Sequence, residues 1–139
     1  PLQLPRPHPF NPLALQRLAV AAAPPGGTPN RRTVELLFRH VWCRDGADPN
    51  EPAALAALVT AVAPQRDPAG DDVKAELRAR TEAAVALGLF GVPTLVADGR
   101  HFFGLDALPM LRAALDGDGW FDGPAWDVAG SQPPGLQRR

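Results

Sequence analysis

The chain has 139 residues, 45% hydrophobic and 21% charged, with a net charge of −1. That length suits one domain with a real core, and the near-neutral balance argues against wholesale attraction to nucleic acid or an anionic membrane. No stretch is long and apolar enough to cross a bilayer, and the single cysteine, Cys43, excludes an internal disulfide, so a reducing, cytoplasmic setting is expected.

Residues 1–10, PLQLPRPHPF, hold four prolines and read as an extended, polyproline-like lead-in. Asn11 can cap a first helix with Pro12 in its first turn, and Pro24-Pro25-Gly26-Gly27 ends it. A second helix is predicted to start near Thr28 to Arg31. Val34, Leu37, Phe38, Val41 and Trp42 form its apolar stripe, and Gly46 closes it. Cys43 lies beside that stripe and reads as a small buried hydrophobe. His40 sits one turn before it, so a Cys–His pair is sterically possible.

A third helix starts after Asp48 or Asn50, with Pro52 in its first turn, Leu55, Leu58, Val59 and Val62 inward, and Pro64 as its stop. A fourth runs from about Asp71 to Leu87, with Val73, Leu77, Thr81, Ala84 and Val85 inward. Glu76 and Arg80 make a favourable i,i+4 pair, and Gly88 is the expected C-terminal cap.

The period then changes. Thr94 to Ala97 reads as a strand, Asp98-Gly99 as a two-residue hairpin turn, and Arg100 to Phe103 as the returning antiparallel strand. Gly104 breaks it. Asp106 can cap a last helix, ALPMLRAAL, with Pro109 in the permissive first turn. Residues 117–139 are rich in Gly, Pro and Asp, with Trp120, Phe121 and Trp126 as docking points, and disorder is expected after about Ala129. His8, His40 and His101 lack metal-ligand spacing, and alternation turns His101 to solvent. Arg138-Arg139 reads as a solvated end.

A lone hairpin is not stable in water, and no other strand candidate exists in the sequence. The chain starts at Pro1 and its only methionine is Met110, so a strand-bearing N-terminal part is expected to precede it. Pro93 donates no ladder hydrogen bond, which leaves a strand start, an edge, or a cis bond in a tight turn.

A hairpin plus helix entered through Val92-Pro93 resembles the second half of a thioredoxin fold, and the helices before it resemble the helical insertion of its DsbA-like branch. RPHPFNPLALQRL, FRHVW, EAAVALGLFGVPTLVADG and FFGLDALPML together resemble the 2-hydroxychromene-2-carboxylate isomerase family, close to kappa-class glutathione transferases, over roughly residues 5–115. The resemblance implies an α/β fold class: the C-terminal half of a thioredoxin-like fold with a helical insertion domain, this chain being mostly α. The implied division is a lead-in at 1–10, a helical domain at 11–88, the thioredoxin-like half at 89–116 and a tail at 117–139.

The same resemblance implies glutathione as cofactor and a cis bond at Val92–Pro93. Val92 would pair its backbone with the cysteine unit of glutathione. Phe103, Gly104, Leu105 and Asp106 match the γ-glutamyl pocket, and Phe10 and Asn11 match positions beside the substrate. It implies a small aromatic or unsaturated carboxylate substrate, no nucleic-acid or membrane partner, no metal, and a homodimer as the common assembly. Relatives often carry Asp-Arg where this chain has Asp106-Ala107. The family's activating serine belongs to the expected N-terminal part, so no catalytic residue is assigned here. A DsbA-like thiol–disulfide oxidoreductase, a kappa-like transferase and a non-catalytic helical module are the alternatives. A serine at the missing position would favour isomerase or transferase, and a Cys-x-x-Cys pair would favour redox work.

Overall fold

The computed structural model describes residues 2–129. The disorder expected after Ala129 and the Arg138-Arg139 end fall outside them. The chain forms two compact units, divided between Ala84 and Val85.

The first unit holds α1 (Leu13–Ala21), α2 (Arg31–Trp42), α3 (Pro52–Val62) and most of α4 (Asp71–Ala86). The starts of α1, α2 and α3 have local causes. The Asn11 carboxamide accepts the Leu13 N–H at 3.0 Å. Asn30 caps α2 by accepting from Thr33 N–H, and Glu51 caps α3 by accepting from Ala53 and Ala54 N–H. The lead-in is not a loose arm: Gln3 N–H donates to Trp42 C=O, Arg6 N–H donates to Gly46 C=O, and Pro5 is fully buried.

The core joins Leu15 and Leu18 of α1, Val41 of α2, and Leu58 and Val62 of α3. A second small cluster joins Val20 and Ala21 to Val73. The inward face of α2 differs from the apolar stripe read in the sequence. Thr33, His40 and Val41 are buried, while Val34 and Phe38 are exposed, Phe38 at 62%. His40 can be buried because its Nε2 hydrogen-bonds Pro49 C=O at 2.7 Å. Cys43 is exposed, not buried. The inward face of α4 is shorter than expected as well: Val73 is buried, but Thr81 and Val85 face solvent.

What α4 lacks in apolar contact it gains in charge. Arg66 reaches back to Val20 C=O at 2.7 Å and Ala23 C=O at 3.1 Å, and pairs with Glu76 at 2.8 Å. Glu76 also holds Arg80 and accepts the Gly26 N–H. Hydrogen bonds from Arg80, then Arg66, hold the Glu76 carboxyl below the usual carboxylate range. A carboxylate depressed in the folded state stabilises it above its unfolded pKa, and that contribution is lost as pH falls through the lowered folded value. Glu76→Gln should therefore lose stability at neutral pH and show a shallower acid dependence than the parent. Urea midpoints measured from neutral to acid pH check both; parallel pH curves for the two proteins would contradict it.

The second unit starts with the end of α4, which Gly88 closes at φ +73°. β1 (Thr94–Ala97) and β2 (Arg100–Phe103) follow as an antiparallel pair, in register Thr94 with Phe103 and Ala97 with Arg100. Asp98 (φ 48°) and Gly99 (φ 75°) make the turn left-handed at both central residues, the type that fits strand twist. Among the described residues this sheet has two strands. A 3-10 turn (Leu105–Ala107) leads into α5 (Leu108–Leu115), and a second one (Gly119–Asp122) into α6 (Pro124–Ala129).

Within residues 117–129 the aromatics do dock. Phe102 is 2% exposed and lies 6.1 Å from Phe121 and 5.9 Å from Trp126, ring centre to centre. Trp120 packs edge-on to both Phe121 and Trp126. Arg100 ties the segment to β2 by donating to Phe121 C=O and pairing with Asp122. His101 is exposed, on the face opposite Phe102.

Candidate functional site

The site assembles where the chain enters β1 and leaves β2. The Val92–Pro93 peptide bond is cis, as are Arg6–Pro7 and His8–Pro9. Val92 is 91% exposed. Neither its N–H nor its C=O has a hydrogen-bond partner among the described residues. Its neighbours on both sides are pinned: Thr94 Oγ1 donates to Gly91 C=O at 2.6 Å, and Gly104 N–H donates to Pro93 C=O at 2.9 Å. The unpaired N–H and C=O of a single residue are thus presented by a fixed frame.

The Gly104–Pro93 hydrogen bond also brings the exit of β2 to the entry of β1. Gly104 has φ +87°, and a Cβ there would collide with the Asp106 carboxylate. Gly91 is close to Phe103 in the same way: a Cβ on it would stand 2.5 Å from the ring. Phe103 in turn packs on Phe90 with centroids 4.7 Å apart. Val92, Pro93, Phe103, Gly104, Leu105 and Asp106 therefore share one corner of this unit. Val92, Leu105 and Asp106 are exposed there.

Asp106 does not cap α5, as the sequence suggested it could. It lies in the 3-10 turn before the helix, α5 has Ala107 at its cap position, and neither element has a side-chain cap. The Asp106 carboxylate makes no hydrogen bond or ion pair among the described residues, so it is free to receive a cation. Pro109 does sit in the first turn of α5.

Phe10 and Asn11 belong to the other unit. Phe10 is half-buried against the core of α1, α2 and α3. Asn11 is engaged at both ends, its carboxamide with Leu13 and its C=O with the Asn50 side chain. His40 and Cys43 lie on and just after α2, and the His40 ring is committed to Pro49. No cluster of His, Cys, Asp or Glu able to hold a metal exists among the described residues. None of their helices is long and apolar enough to cross a membrane.

The DSBA-like thioredoxin domain family matches residues 1–116. The chain belongs to this family. The helices from α1 to α4 and the hairpin with α5 all fall inside the match, so this is a DsbA-like thioredoxin fold, mostly helical here with a small antiparallel sheet. No curated protein and no solved structure matches the chain.

In this DsbA-like domain Gly104 is the most constrained backbone position of the site. Its dihedrals, φ 87° and ψ 165°, lie in a region that only glycine occupies readily. Gly104→Ala should cost roughly 1–3 kcal/mol in strain and displace Asp106. Urea unfolding checks the first effect. An alanine variant as stable as the parent would show that this turn relaxes freely.

Proposed function

We propose that the corner at Val92 and Asp106 binds glutathione, and that the protein is a glutathione-dependent isomerase of the 2-hydroxychromene-2-carboxylate isomerase type. The observation that carries this reading is that the Gly104–Pro93 hydrogen bond joins the segment carrying the unpaired Val92 N–H and C=O to the segment carrying the unpaired Asp106 carboxylate. A peptide with a free amino group needs those two partners. Its backbone pairs with an extended segment, as in strand addition, and its ammonium pairs with a carboxylate. Gly104 leaves the Asp106 carboxylate its place, since a side chain there would strike it.

Glutathione, when bound, would supply the thiolate that adds to an unsaturated carboxylate substrate. This chain's residues bind and orient. Val92 would hold the cysteine unit, Asp106 the γ-glutamyl ammonium, and Phe103 would wall the site through its contact with Phe90. Fixing the thiol in this way supplies the positional part of the rate acceleration. A cytoplasmic location and a homodimer belong to the same proposal.

A second reading is thiol–disulfide exchange on polypeptides. Phe90 (82% exposed), Val92 and Leu105 (72%) favour it, because they give the corner an apolar rim that suits an unfolded chain. Calorimetric titration separates the two. Glutathione should bind the parent, and Asp106→Ala should weaken it roughly tenfold or more by removing a charge-assisted hydrogen bond. S-methylglutathione should bind Asp106→Ala equally poorly. Binding of an extended apolar peptide without any glutathione affinity would favour the second reading.

A further inference from the structure

A cavity of about 600 Å3 lies on the first unit between α1 and α4, away from every residue discussed as a site above. Leu13 and Arg17 of α1 line it, with Lys74, Leu77, Arg78 and Glu82 of α4. The spacing is that of single helix faces: i and i+4 on α1, and i, i+3, i+4 and i+8 on α4. Three cations thus meet one carboxylate, with Leu13 and Leu77 as the apolar part of a lining that also includes Gln16 and Thr81.

These cations are poorly neutralised. Arg17 and Arg78 make no ion pair among the described residues, and Lys74 has only Asp71, whose side chain is 99% exposed. Lys74 and Arg78 stand at i,i+4, where like charges oppose helix formation. The Arg17 Nε is buried and has no acceptor, a condition that native structures resolve with a partner. Arg66 and Arg80 contrast with Arg17: both reach Glu76 and backbone carbonyls. Arg17, which lines this cavity and also a smaller one beside Leu18, Leu55 and Val59, brings an unmet donor to a place where positive charge is in excess.

We propose that the α1–α4 cavity binds a small organic anion, a carboxylate on a compact apolar body. The acid group would face Arg17, Arg78 and Lys74, and the body would cover Leu13 and Leu77. The size is that of a small-molecule site, and the pairing of charge with an apolar floor rejects both inorganic anions and neutral hydrocarbons. This inference stands apart from the glutathione reading, since none of its residues is shared.

The test titrates the full chain with 1-naphthoate and with 1-naphthalenemethanol, the uncharged counterpart of the same ring. The acid should bind roughly tenfold more tightly, with amide shifts on α1 and α4. Arg17→Met and Arg78→Gln should each weaken the acid severalfold, and Glu82→Gln should tighten it by removing the opposing charge. A folding defect cannot produce that last gain. Equal binding of acid and alcohol, weaker binding in Glu82→Gln, or amide shifts confined to other regions would overturn the proposal.

Discussion

Phe102→Ala should destabilise the second unit by about 3–5 kcal/mol, the range for emptying a buried phenylalanine site. The ring is 2% exposed and is the point on which Phe121 and Trp126 converge. It is also the inward residue of β2, paired across the hairpin with Leu95. Removing it leaves a four-residue strand without an inward anchor, and a hairpin alone is not stable. Few contacts exist to compensate: α5 has no buried residue of its own. Hydrogen exchange read by residue should show the loss at Thr94–Ala97 and Arg100–Phe103, and Trp120 and Trp126 fluorescence should shift toward the solvated value. Phe102→Leu should fall between parent and alanine. A loss below about 1 kcal/mol would mean that the aromatic cluster does not hold the hairpin.

Leu18→Ala is the matching experiment in the first unit, with an expected cost of about 2–5 kcal/mol. Leu18 is 1% exposed and sits in the cluster that joins three helices. Alanine would open a cavity among Leu15, Val41, Leu58 and Val62, which sit on rigid helices and cannot all move in. Leu18→Met keeps most of the volume and should cost less than about 1.5 kcal/mol. Urea midpoints compare the two. Equal losses would show that the site tolerates neither shape, and equal retention would place the core elsewhere.

The elements legible in the sequence are those set by local rules. The hairpin follows from one Asp-Gly turn between two short apolar runs. The inward face of α3 follows from its aliphatic spacing. The α2 face did not, because hydropathy chooses Val34 and Phe38, whereas a hydrogen bond to Pro49 lets His40 take an inward place. The Glu51 cap was missed because glutamate is a less usual cap residue than Asp, Asn, Ser or Thr. The anchoring of α4 rests on Arg66 reaching residues 43 and 46 positions away, which no local pattern contains. Trp120, Phe121 and Trp126 were legible as docking points, but their common partner, Phe102, was not, since it lies in a separate strand.

The corner itself was legible as a set of residues, since Gly-Val-Pro-Thr and Phe-Phe-Gly-Leu-Asp mark both of its sides. Two properties that make it a site were not. The unpaired Val92 N–H and C=O and the unpaired Asp106 carboxylate, brought to one corner by the Gly104–Pro93 hydrogen bond, are properties of the fold. Read from sequence, Asp106 was as good a helix cap as a ligand.

Glutathione binding at this corner is the central claim, and amide chemical-shift mapping tests it most directly. Titrating glutathione into the labelled chain should move the amides of Val92, Leu105 and Asp106, with Thr94 and Gly104 as near neighbours, and Asp106→Ala should suppress those shifts. Saturating shifts located elsewhere, or none at any concentration at which the protein remains folded, would contradict the account.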